Sequence, residues 1–229
     1  MDFHEVMAAL EAEGTAQNRK TYPRHGAQEP MFGVSYAALG KLEKKIRIDH
    51  ELGVALWDSG NHDARMLAAK VVDPEQFTAK LADGWARAAV CYQTAGAVAD
   101  VVAQSPVARS RGDVWRERKG EWVASAGWGI VARTCEDEDL WSIAELRALL
   151  RQIEEEIHER PNRVRHEMNM AMISIALRNA ALQRLAMSAA KRVGPVDVDH
   201  GDTSCTTPDA CDYIEKTVGY RQRRAIRSG

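Results

Sequence analysis

The sequence has few aromatic residues, few prolines and almost no net charge. Phe, Trp and Tyr make up 6% of its 229 residues, proline occurs 7 times, and the net charge at pH 7 is −2. This balance argues against a protein that binds nucleic acid through its overall charge, but it allows a local basic surface. Apolar runs are broken by charge well before the ~18 residues that a membrane span requires. The 4 cysteines are scattered, which is typical of reduced thiols. We therefore expect a cytoplasmic protein with no membrane segment.

Apolar residues recur at helical spacing through most of the chain. Leu39, Leu42 and Ile46 form one stripe after Ser35, which is a suitable helix cap. No segment alternates apolar and polar residues as a strand would. Further helices are predicted at 62–72, from 73 to about 81, and at 86–103, 120–133, 142–159, 161–178 and 180–193. Helix pairs at intervals of roughly 35–45 residues are typical of stacked helical repeats, and a globular bundle is the alternative. The fold class is all-α in either case.

Charge divides the C-terminal third of the chain at Gly194. Residues 160–192 hold seven bases and one acid, whereas residues 194–215 hold six acids and no base. We predict a helical-repeat domain at 1–193 and an acidic C-terminal extension at 194–218, with a short helix that ends at Val218. Residues 219–229 are predicted to be a basic flexible tail.

Several motifs, in order, resemble one known family. They are Met-Phe-Gly-Val-Ser at 31–35, Lys-Leu-Glu-Lys-Lys-Ile at 41–46, the run at 51–65, Asn-Arg-Val-Arg at 162–165 with Met-Asn at 168–169, and the Val-Asp-His-Gly to Thr-Pro-Asp-Ala segment at 198–210. Together they resemble the DNA alkylation repair family, the HEAT-like repeat DNA glycosylases. The resemblance implies a C-shaped stack of helix pairs, an α-α superhelix, whose basic concave face holds duplex DNA. Active members release bases made cationic by alkylation.

The resemblance also implies an active site that this sequence lacks. A cationic base is already a good leaving group, so the sugar oxocarbenium is what needs stabilising, by a carboxylate and aromatic faces. Matching the family motif places Ala88 at the aromatic position, Tyr92 at the carboxylate and Ser125 at a groove arginine. The alternative register, which uses Trp85 as the aromatic residue, puts Ala89 at the acid. Neither register supplies a carboxylate.

Basic clusters supply the candidates for DNA contact. Ordinary solvated helix faces are the alternative interpretation of these clusters. The candidates are Arg109, Arg111, Arg116, Arg118 and Lys119 in one loop-like stretch, and Arg163 and Arg165 within the basic run at 160–192. Residues that are candidates to line the groove are Tyr92, Trp128, Glu167 and Asn169.

The extension contains potential metal ligands, but their spacing is poor for zinc. Cys205 and Cys211 are six positions apart and lack a second Cys or His pair. Asp199, His200 and Asp202 are the other potential ligands. We predict no metal and no cofactor, with turn and capping roles for the Asp, Gly and Thr residues of this segment.

Three hypotheses for function remain open. The first is a DNA-binding member of the family that contacts duplex DNA, alkylated or not, without base excision. The second is an active glycosylase for N-alkylated purines that uses different groove residues. The third is a helical-repeat scaffold that binds protein.

Overall fold

The secondary structure of the chain is predominantly helical. The computed structural model describes the backbone of residues 1–228 and the side chains of residues 1–224. Within that part, the β pairing is confined to an isolated bridge between Gly14 and Val34, so the all-α prediction is confirmed. None of the described helices is both long and apolar enough to cross a membrane. The α-helices are α1 (Phe3–Glu13), α2 (Ala16–Thr21), α3 (Tyr36–Ile46), α4 (His50–Asp58), α5 (His62–Val71), α6 (Ala79–Ala88), α7 (Tyr92–Ala103), α8 (Ala108–Arg116), α9 (Glu121–Thr134), α10 (Ile143–Glu156), α11 (Asn162–Ala176), α12 (Ala180–Val193) and α13 (Ala210–Ser228).

The helices form two layers. From α3 onward, each odd-numbered helix packs against the next odd-numbered one: α3 against α5, α5 against α7, α7 against α9, α9 against α11, and α11 against α13. Each even-numbered helix from α4 to α12 packs on the odd-numbered helix that follows it. This order is that of a helical-repeat stack, as the spacing of the apolar stripes predicts.

Five odd-numbered helices, from α3 to α11, begin along one edge of the stack. Arg163, near the start of α11, lies over the ring of Tyr92 at the start of α7. Glu121, the first residue of α9, accepts a hydrogen bond from the Arg163 backbone N–H. Tyr22 contacts both Tyr36 and His62, the first residues of α3 and α5. We call this line of helix starts the N-terminal edge; its members are Tyr36, His62, Tyr92, Glu121 and Arg163.

A buried carboxylate fixes the loop that precedes α3. Asp63 accepts hydrogen bonds from the backbone N–H groups of Phe32, Gly33 and Val34 at 2.6, 3.0 and 2.9 Å. Gly33 has φ +79, and a Cβ there would lie 2.8 Å from the Arg19 side chain. The sequence motif at 31–35 therefore has a structural basis, since only glycine fits both the backbone and the space.

Two predicted helices are interrupted. The prediction of one helix at 86–103 is wrong, because α6 ends at Ala88 and α7 begins at Tyr92. Thr94 makes the break possible: its hydroxyl accepts the backbone N–H groups of Val90 and Cys91. The predicted helix at 73–81 is likewise divided into a 3-10 turn and α6.

The C-terminal helix is longer than predicted. The sequence predicts that it ends at Val218 and that the last residues lack regular structure, but α13 continues through Ser228. Arg221 holds this part of the helix to the stack, donating hydrogen bonds to Glu136 at 3.0 Å and to the Leu177 carbonyl at 3.1 Å. The predicted tail is thus helical over residues 219–228, and Gly229 lies outside the described residues.

Candidate nucleic-acid interface

A cavity of about 260 Å³ opens on the N-terminal edge. Three parts of the chain enclose it: the segment before α3, the starts of α7, α9 and α11, and the extension after α12. Its lining residues include His25, Tyr92, Glu121, Trp122, Arg163 and His200.

Tyr92 occupies the place where the resemblance implies a catalytic carboxylate. Its hydroxyl lies 3.0 Å from His25 Nδ1, and the Arg163 guanidinium lies 4.2 Å from the centre of its ring. Burial raises the pKa of the Tyr92 phenol, so it is neutral at pH 7. This residue therefore offers an aromatic face and no negative charge.

Arg163 is an internal cation. Its side chain is largely buried, with 8% of the residue exposed, and its guanidinium lies 2.9 Å from His200 Nδ1. Its backbone N–H donates to Glu121 Oε1 at 2.7 Å. Because these contacts are all within the protein, Arg163 organises the cavity wall, and its contact with DNA phosphate stays a prediction.

The extension is tied to α11 by polar contacts. Thr207 Oγ1 lies 3.0 Å from both His166 Nδ1 and His200 Nε2. Asn169 donates to the Pro208 carbonyl at 2.9 Å and is 1% exposed. Asn169 therefore anchors the extension, and the prediction that it lines the groove is wrong. Burial is the main cause that lowers the pKa of His166 to about 4, so its imidazole is neutral at pH 7.

The extension also reaches the first segment of the chain. Asp202 pairs with Arg24 at 3.6 Å. Gly201 has φ +68, and a Cβ there would lie 2.8 Å from the Arg24 carbonyl oxygen. The extension thus bridges α11 and the segment that precedes α3.

The other family positions are also structural. Ala88, at the end of α6, presents its carbonyl to Arg65 Nη1 at 3.2 Å. Because α6 ends at Ala88 and α7 begins at Tyr92, the two residues lie on different helices. Ser125 is 3% exposed within α9. Trp128 is 0% exposed and belongs to the apolar core between α9, α10 and α11, so the prediction that it lines the groove is wrong.

Carboxylates near α11 lie in two different environments. Glu167 lies close against α9: its Oε2 is 3.4 Å from the position that a Cβ on Gly129 would take. Burial raises the pKa of the Glu167 carboxyl group. Glu121 lines the cavity directly. Glu121 is not recognisable as a site residue from the sequence, because an acid in the first turn of a helix is ordinary capping chemistry.

Most of the predicted DNA-contact arginines have partners inside the protein. The stretch predicted as a loop is helical only as far as Arg116, the last residue of α8. Arg109 pairs with Glu145 at 2.7 Å and Arg111 with Asp83 at 2.8 Å. Arg116 interacts with Asp113, Glu117 and Gln152. Arg165 is half-buried.

Arg118 and Lys119 differ from the arginines of α8. Both are exposed, and neither has an ion-pair partner among the side chains that the structure describes. With exposed Arg87 they line a hollow of about 330 Å³ next to the start of α9. These three cations form the rim cluster, whose member Lys119 is two positions before the cavity residue Glu121.

Comparison with known proteins identifies the family. The family model described as "DNA alkylation repair enzyme" matches residues 6–214. The chain belongs to the DNA alkylation repair family. Uncharacterised proteins of Listeria innocua and Listeria monocytogenes are 30% and 29% identical to it over 220 residues, covering 93% of this chain and 96% of each relative.

A solved structure extends the comparison to the fold. It has a TM-score of 0.88 and 30% sequence identity, and the match covers 96% of this chain and 95% of that one. That protein belongs to a new family related to the HEAT-like repeat DNA glycosylases, with affinity for branched DNA structures. The HEAT-like fold predicted from the motifs is therefore confirmed.

Proposed function

We propose that this protein binds branched DNA and does not excise alkylated bases. The observation that carries the proposal is Tyr92, a neutral phenol within hydrogen-bond distance of His25 and covered by Arg163. It stands at the position where the family resemblance implies the carboxylate that excision requires. Stabilising the developing sugar cation needs a negative charge at that point, and a tyrosine with a raised pKa has none.

The rim cluster supplies the contact with DNA. Arg87, Arg118 and Lys119 are exposed cations around a concave hollow. The described side chains form no ion pair with any of the three, so these cations can pair with phosphates. The similar protein of known structure belongs to a family with affinity for branched DNA. This similarity favours a junction over a linear duplex as the ligand.

Base excision is the second candidate, and Glu121 is the observation that favours it. This carboxylate lines the same cavity as Tyr92 and Trp122, so a base inserted there would meet two aromatic rings and one acid. One oxygen of Glu121 is already engaged by the Arg163 N–H, which opposes its use as a charge stabiliser.

Two assays on the purified chain separate these functions. In the first, DNA that carries N7-methylguanine or N3-methyladenine is incubated with the protein, and free base is measured; we expect none. Multiple turnover that disappears in Glu121→Gln would establish excision instead. In the second, affinity for a four-way junction and for a linear duplex of equal length is measured at several salt concentrations. We expect tighter binding to the junction and a decline with salt. Salt-independent or absent binding would leave the protein-scaffold hypothesis.

A further inference from the structure

A second basic groove lies in the other layer of the stack, between α10 and α12. It has a volume of about 500 Å³, and its floor is apolar. Its lining residues include Arg147, Arg151, Glu154, Arg184 and Arg192. The cavity of the N-terminal edge and the hollow of the rim cluster share none of these residues.

The charge of this groove is strongly one-sided. Among the described residues that line it, the one carboxylate is Glu154, which is paired with Arg192 at 2.8 Å. Arg147, Arg151 and Arg184 are exposed, and no ion pair to them is found within the described side chains. Three of the four arginines that line the groove therefore have no role as ion-pair partners of the described side chains.

The spacing of these cations suits a linear polyanion. Arg147 and Arg151 are one helical turn apart on α10, about 6 Å along its axis. Arg184 projects from α12 on the facing side, and the groove places all three around one channel. Guanidinium groups bind phosphate oxygens through two parallel hydrogen bonds, which makes a row of them a typical phosphate-backbone contact.

We propose that the α10–α12 groove binds the phosphate backbone of a second duplex arm of a branched DNA. This inference rests on the proposed function, since the rim cluster would hold the first arm. A junction presents two arms to one protein molecule, whereas a linear duplex engages one surface at a time. Binding at two linked surfaces raises the affinity for the junction without any recognition of bases. Shape, and not sequence, is then what the protein selects.

The test removes the three free charges together. We compare wild type with the triple variant Arg147→Gln, Arg151→Gln and Arg184→Gln, and with a control of equal charge change, Lys41→Gln, Lys44→Gln and Lys45→Gln. The control residues are exposed on α3. We expect the groove variant to lose about tenfold in junction affinity and less than twofold in linear-duplex affinity. For the junction, the slope of log affinity against log salt should become shallower by up to about three. The control should change both affinities equally and little.

Each other outcome points to a different conclusion. If the groove variant binds the junction with wild-type affinity and salt slope, the groove proposal is overturned while the proposed function stands. If wild type shows no affinity for either DNA, the proposed function fails as well. If a fluorescent decaglutamate peptide binds wild type but not the groove variant, and junction affinity is unchanged, the groove takes an acidic protein segment and the DNA assignment is wrong. Circular dichroism of all three proteins verifies that the exposed substitutions leave the helices intact.

Discussion

The Arg163 guanidinium lies 4.2 Å from the centre of the Tyr92 ring and joins the starts of α7 and α11. The same guanidinium contacts His200, so one side chain links two helices with the C-terminal extension. Tyr92, at the position where the resemblance implies a catalytic carboxylate, therefore helps to hold these helices together.

Replacing Arg163 with lysine should therefore destabilise the protein. Lysine keeps the charge but loses the planar stacking on Tyr92 and the hydrogen bond to His200, so we expect the free energy of unfolding to fall by about 1–3 kcal/mol. Urea denaturation measures it. Tyr92→Phe is the control, because it keeps the ring and removes only the contact with His25. The role of the cation–ring contact is contradicted if Arg163→Lys is no less stable than Tyr92→Phe.

The two classes of basic residue should respond differently to substitution. Arg118→Gln with Lys119→Gln should weaken DNA binding and lower the slope of log affinity against log salt by up to about two, since both cations are free to contact phosphates. Arg109→Gln should leave that slope unchanged and lower stability by about 1 kcal/mol, because it removes a partner of Glu145. Filter binding across a salt series, with urea denaturation, tests both. An effect of Arg109 on the slope, with none from Arg118 and Lys119, would reverse the assignment.

Asp63 should be indispensable to the loop before α3. Asp63→Ala leaves the backbone N–H groups of residues 32–34, two of them buried and one partly buried, without an acceptor. We therefore expect a loss of about 2–4 kcal/mol in the free energy of unfolding. Asp58→Asn, at an exposed position on α4, should stay within about 0.5 kcal/mol of wild type. Equal stability of the two variants, measured by thermal or urea denaturation, would contradict the role of Asp63.

Stability should fall as the pH drops from about 6.5 toward 4. Burial lowers the pKa of His166 to about 4 in the folded chain, so the unfolded chain, with a histidine pKa near 6.5, takes up the proton first. The stability from neutral His166 is complete above about pH 6.5 and declines below it, by at most about 1.4 kcal/mol for each pH unit. Below the folded-state pKa of about 4, no further loss comes from this residue.

The matched variant isolates this contribution. His166→Gln keeps a polar side chain beside Thr207 but does not titrate, so its stability should decline less than that of wild type between pH 7 and pH 4.5. Urea midpoints at four pH values provide the comparison. Parallel curves for the two proteins would show that His166 does not titrate differently in the folded and unfolded chains.

Local patterns predicted the elements that local interactions determine. Ser35 caps α3, as expected, because its hydroxyl accepts the Ala38 N–H three residues later. The break before Tyr92 carries no glycine or proline, since the Thr94 hydroxyl within the apolar run satisfies the freed N–H groups. A break of this kind depends on the hydrogen bonds of one side chain, so the apolar spacing of the sequence does not reveal it.

The site was harder to predict than the fold because its properties depend on distant partners. Arg111 and Arg118 belong to one basic stretch, yet Arg111 is neutralised by Asp83, 28 positions earlier, while Arg118 is left exposed. Trp128 and Tyr92 are both aromatic residues on helices of the same layer, and only packing decides that one is enclosed and the other lines a cavity. The resemblance predicted the position of Tyr92, but not its contact with Arg163.

The bridge from Asp202 and Gly201 to Arg24 changes how this stack should come apart. An open solenoid is quasi-one-dimensional, so its end repeats can melt while the middle persists. Here residues near both termini hold each other, and loosening either end requires breaking contacts with the other. The terminal repeats of this molecule should therefore fray less readily than those of an open array.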